Sequence, residues 1–81
     1  MSSATLIAQD FGLSRQIALA QRKVQMLDAL VRSPLASVAE RERATAEIEE
    51  AVNRSIPALQ TELMRVRIQL TPILEAQRLG G

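Results

Sequence analysis

Residues 13–31 read LSRQIALAQRKVQMLDALV. Leu13, Ile17, Ala20, Val24, Leu27 and Val31 recur at steps of four, three, four, three and four. This is the a/d spacing that lays six apolar side chains along one side of a helix. Leu19, Met26 and Leu30 add a second apolar row beside the seam, widening the face enough for more than one neighbour. A second stripe answers it near the other end, where Leu59, Leu63, Val66, Leu70 and Ile73 recur at steps of four, three, four and three. Two such stripes require burial, against each other or against a partner helix.

Upstream, Leu6 continues the seam one heptad back from Leu13, with Asp10 at the intervening position. Ser2 or Ser3 can cap a helix beginning at Ala4. Gly12 interrupts the pattern at about 1 kcal/mol relative to Ala; the alternative is a fresh start capped by Ser14, with a loose arm before it. The heptad continuity favours one helix over about residues 4–32, frayed at its beginning. At 1.5 Å per residue it would be about 43 Å long. Pro34 disfavours helical geometry at Ser33, so the helix should stop there and turn.

A second helix is expected over about residues 36–55, starting between Pro34 and Val38. Residues 39–55 are rich in Ala, Glu and Arg, which are strong helix formers. Ile48 and Val52 supply a thin apolar stripe with Ala44 and Ala51 beside it. Arg43 with Glu47, and Glu50 with Arg54, are placed to pair across one turn. Five Glu against three Arg give this segment a charge of −2, the balance of a half-wetted helix.

Pro57 is the strongest punctuation. Inside a helix it removes one backbone hydrogen bond and clashes with the carbonyl four residues back, at about 3 kcal/mol. At a helix start it costs little, and Ser55 is placed to cap a helix beginning at Ile56. Thr71-Pro72 poses the same choice before Gly80, a natural helix terminator. The expected fold is therefore all-α and a single domain: an antiparallel helical hairpin whose second arm bends at Pro57, or a three-helix bundle if Pro57 breaks the chain, with a last helix over about residues 56–79. No repeat of solenoid spacing occurs.

Composition narrows the function classes. At 81 residues the chain lies near the lower limit for an independent core. Phe11 is its only aromatic residue, so that core must be aliphatic and stability shared with a partner is reasonable. Ten basic and nine acidic residues leave a net charge of +1, too weak a field to draw the chain to nucleic acid or an anionic membrane. There is no cysteine for disulfides and no histidine to serve as metal ligand or general base. The first twenty residues do not resemble a signal peptide, and no apolar run reaches the length of a membrane span; a cytoplasmic protein is the expectation. Nine of the ten basic residues are Arg, which with the many Ala suggests a GC-rich bacterial or phage genome.

Side chains that could carry chemistry read more simply as surface. Glu40, Glu42, Glu49 and Glu50 lie in a polar stretch without the desolvated pocket that acid–base work needs. Glu47 and Glu50 lack the histidines that accompany carboxylates in metal-binding bundles. Serines and threonines have no base to activate them, and no Gly-rich phosphate loop exists. Neither a catalytic, a metal nor a cofactor site is expected, and no small-molecule substrate. Arg15, Arg22, Lys23 and Arg32 give residues 1–37 a charge of +2, which in a dimer could touch phosphate; the sparse charge and missing aromatics argue against nucleic acid. Arg65 and Arg67 flank Val66 and are expected to rim the seam with their stems. The tail Arg78-Leu79-Gly80-Gly81 matches the diglycine end of ubiquitin-like modifiers, but nothing here reads as their strands.

The length, the pairing of residues 6–31 with residues 59–79, the Ser33-Pro34 turn and the lack of catalytic residues together resemble the small helical co-chaperones and needle subunits of bacterial type III secretion systems. Needle subunits carry a second proline close after the first, where this chain has Ser37. The resemblance implies a helical hairpin whose apolar faces hold an aggregation-prone partner until export; it transfers no individual residue's role.

The expectation is a non-enzymatic protein-interaction module, a small chaperone, adaptor or self-assembling subunit, whose partner is another protein or a second copy. The residues expected at the partner are Leu13, Ile17, Leu19, Val24, Met26, Leu27, Leu30, Val31, Leu59, Leu63, Val66, Leu70 and Ile73. The alternative is a dimeric nucleic-acid-binding regulator.

Overall fold

A computed structural model describes residues 2–80. Helix α1 spans Ser3–Arg32, α2 spans Val38–Glu50, and α3 spans Ile56–Gly80; a single wide π turn, Ala51–Ser55, joins α2 to α3 without a break. The chain is an antiparallel all-α hairpin with one continuous arm and one long kinked arm, and no strand occurs among the described residues.

Helix α1 starts where Ser2 takes an extended backbone conformation and its hydroxyl accepts from the Thr5 N–H at 3.3 Å. Gly12 causes no interruption, and the Ser14 hydroxyl donates to Asp10 inside the helix rather than capping a new one. The helix ends at Arg32 because Ser33, preceding Pro34, is extended. Arg41 reaches back from α2, its guanidinium Nη2 donating to the Ser33 carbonyl at 2.7 Å. A cation at a helix C-terminus also complements the helix dipole.

Ser37 and Glu40 form a capping box that starts α2: the Ser37 hydroxyl accepts from the Glu40 N–H at 3.1 Å, and the Glu40 carboxylate accepts from the Ser37 N–H at 3.3 Å. Two otherwise unpaired helix-end donors are thereby satisfied. Of the two expected i,i+4 pairs on this arm, Glu50–Arg54 closes at 3.8 Å; Arg43 and Glu47 do not pair.

Pro57 does not break the chain: it lies in the first turn of α3, directly after the π turn, and Ser55 makes no cap hydrogen bond. The helix passes it through the π turn, in which the Ile56 N–H donates to the Ala51 carbonyl five residues back. A π turn holds one residue more than an α turn. That extra residue keeps the seam facing α1, because the partly or fully buried apolar positions of the second arm are Ala44, Ile48, Ala51, Ile56, Leu59, Leu63, Val66, Leu70 and Ile73. Their spacing is three or four everywhere except the five-residue step from Ala51 to Ile56, where the π turn lies. Pro72 also sits inside α3 without ending it, and the Thr71 hydroxyl donates to the Arg67 carbonyl at 2.8 Å.

The most tightly packed region lies toward the open end of the hairpin. Leu6, Val66 and Leu70 form its centre, with Leu13 and Ile73 packed against them; burying each such side chain contributes about 1.5–3 kcal/mol. Toward the turn, the small Ala44, itself buried, lets α2 approach Leu27 and Leu30.

Candidate interaction surface

The hairpin is one helix pair thick, with extents of 60 × 18 × 15 Å and a radius of gyration of 17.9 Å. A compact chain of this length would have a radius of gyration of about 12 Å. The surface follows the shape. The chain exposes 6198 Å², whereas a folded monomer of its mass typically exposes about 4,800 Å². Roughly 1,400 Å² of surface is therefore in excess of what a self-contained fold leaves open.

Most of the residues expected to meet a partner are instead spent within the hairpin. Ile17, Val66 and Leu70 are buried, and Leu13, Val24, Leu27, Leu30, Val31, Leu59, Leu63 and Ile73 are half-buried between the arms. Leu19 and Met26 alone of that set are exposed. They lie on the outside of α1, more than a quarter-turn from the seam, so the second row does not form one continuous face with the first.

A different group of large apolar side chains is left outside. Phe11, Met64 and Ile68 are 71%, 64% and 67% exposed, and Ile7 and Leu74 are exposed as well. One ion pair marks the side of the hairpin that most of them border. The Arg67 guanidinium Nε donates to Asp10 Oδ2 at 2.9 Å, joining the two arms across one side of the hairpin. Ile7 and Phe11 stand three residues before and one after Asp10; Met64 and Ile68 stand at the same offsets from Arg67. With 3.6 residues per turn and the arms antiparallel, Ile7, Phe11 and Met64 lean toward the side that carries the ion pair, whereas Ile68 lies about half a turn from the α3 seam and points away from α1. A shallow groove runs beside it, lined by Ile17, Gln60, Leu63, Met64, Ile68 and Thr71 together with Arg67. Sequence reading missed this group because none of its members falls on a heptad seam; the signal available was the repetition of an apolar i,i+4 pair, 7/11 and 64/68, beside each charged residue.

The basic residues do not gather into a patch. Arg15 and Arg22 lie on the outside of α1, Lys23 lines a groove with Glu47 and Glu50, and Arg32 pairs with Asp28 at 3.2 Å. Arg65 pairs with Glu62 at 3.5 Å, within its own helix. Among the described residues no cluster of three or more potential metal ligands occurs, and no helix is long and apolar enough to cross a membrane. Of the diglycine tail, Gly81 lies outside the described residues. No known family model, curated protein or solved structure matches the chain.

Proposed function

We propose that this chain is a non-enzymatic helical interaction module, which works by docking protein against the side of the hairpin marked by Asp10 and Arg67. The reading rests on the exposed apolar side chains Ile7, Phe11 and Met64 beside the Asp10–Arg67 pair, on a helix pair that in all leaves roughly 1,400 Å² more exposed than a compact monomer of its mass. The partner's share of a standard protein interface is about 800 Å², so the excess is large enough for one. Chaperone, adaptor and self-assembling subunit are all forms of this activity, and the resemblance to secretion co-chaperones and needle subunits is of the same kind.

The test is site-specific photo-crosslinking in the native cell. A photoreactive residue at Phe11 or Met64 should yield discrete protein adducts, while the same residue at Glu42, on the exposed side of α2, should yield none. Equal labelling at all three positions would remove the interaction reading.

A further inference from the structure

The outer edge of α1, turned away from the second arm, carries a row of side chains that the hairpin does not use. Positions 11, 15, 19, 22 and 26 advance by four, four, three and four, so Phe11, Arg15, Leu19, Arg22 and Met26 share one side of the helix. We infer that this row docks an acidic amphipathic helix of a partner protein, with carboxylates seven residues apart set among apolar side chains. The inference goes beyond the interaction reading above: it adds a second line of contact, which Phe11 borders, and states the partner's chemistry along it.

Charge carries the argument. Arg15 and Arg22 are exposed, and among the described residues neither guanidinium has an ion-pair or hydrogen-bond partner. The only carboxylates of α1 are Asp10 and Asp28. Both lie more than a quarter-turn from the row, and both are already engaged, Asp10 with Arg67 at 2.9 Å and Asp28 with Arg32 at 3.2 Å. The row therefore alternates apolar and cationic side chains with no acid to offset them. Its apolar members are large and open to solvent: Phe11 is 71% exposed, Leu19 52% and Met26 74%.

The layout states what fits. From Phe11 to Met26 the row runs about 22 Å, four turns of helix. A partner helix lying along it has the same period, so two of its carboxylates seven residues apart meet Arg15 and Arg22 together. Its apolar residues on the intervening turns cover Phe11, Leu19 and Met26, while the arginine stems pack on them and keep the guanidiniums at the carboxylates. A bilayer fits less well. Helices that lie on lipid separate an apolar face from a cationic one, whereas Arg15 and Arg22 stand in the middle of this row. Nucleic acid would set three large apolar side chains against phosphate, and a phosphate-binding footprint clusters its basic residues instead.

The test is photo-crosslinking from Leu19 in the native cell, with the cross-linked segment of the partner sequenced by mass spectrometry. The expected adduct lies on a segment of helical apolar spacing that holds Asp or Glu seven residues apart. Arg15→Glu combined with Arg22→Glu should reduce that adduct several-fold, and Arg15→Lys combined with Arg22→Lys should retain most of it. Circular dichroism should show these chains as helical as the parent. A cross-linked segment without carboxylates, whether of another protein or of a second copy, would overturn the inference. So would an adduct to lipid or nucleic acid, or a yield unchanged by charge reversal. No adduct at Leu19 while Met64 still gives one would overturn it and leave the interaction reading standing; no adduct at either position would remove the two together.

Discussion

Asp10 and Arg67, 57 residues apart in sequence, are joined at 2.9 Å and form the one ion pair between the two arms among the described residues. The other ion pairs are local, three or four residues apart along one helix. Asp10 occupies the position where the Leu6–Leu13 heptad would carry an apolar residue, and Arg67 is the neighbour of the buried Val66. The pair clips the arms together across the side that Ile7, Phe11 and Met64 border.

Its strength should be modest. The Arg67 side chain is 58% exposed, and pairs of this kind contribute about 0.2–1 kcal/mol. A double-mutant cycle of Asp10→Ala and Arg67→Ala, read by urea unfolding, should return a coupling within that range. A coupling of several kcal/mol would mean that the pair is buried in solution, as a covering partner would make it.

Loss of core volume should matter far more. Leu6 is 2% exposed and stands at the centre of the cluster with Val66 and Leu70. Leu6→Ala should cost about 2–5 kcal/mol, enough to unfold a domain this small. Leu27, half-buried toward the turn, should cost less on truncation, and Glu49→Ala almost nothing. Thermal unfolding followed by circular dichroism ranks the three; a different order would place the core elsewhere.

The capping box should be measurable by itself. Ser37→Ala removes the acceptor of the Glu40 N–H and should cost about 1 kcal/mol. Ser55→Ala should be neutral, because Ser55 caps nothing. Equal losses at the two positions would contradict the continuous second arm.

The π turn makes the sharpest prediction about sequence length. Removing Asn53 converts the five-residue step from Ala51 to Ile56 into four, so the seam stays aligned once Pro57→Ala relieves the ring from a regular helix. That combined variant should fold at least as stably as the parent. Removing Thr61 instead rotates everything beyond it by about 100° relative to the seam and should unfold the hairpin. If both deletions were equally damaging in a thermal melt, the π turn would not be what reconciles the seam.

These elements differ in how far the sequence announces them. Helix α1 and the α3 stripe follow from their periodicity, and the end of α1 from Ser33-Pro34, because both are local properties. The capping box was equally legible as Ser37 followed by Glu40 three residues later. The π turn was present as the long step between Ala51 and Ile56, but taking Val52 into the apolar stripe concealed it; Val52 is exposed. The Asp10–Arg67 pair could not be read in advance, since it depends on the register set by the distant turn. The interaction surface was missed for the opposite reason. Heptad seams mark what helices bury in one another, and here the seams are consumed inside the hairpin, leaving the unpartnered apolar residues outside any simple repeat.

The most direct test of the account is photo-crosslinking from Met64 in the native cell, with the chain otherwise native and with Phe11→Glu beside it. Because burying an unpaired carboxylate is unfavourable, Phe11→Glu should leave the chain helical and remove the discrete protein adducts that the native chain gives. The same adducts from both chains would contradict an interaction surface at Phe11.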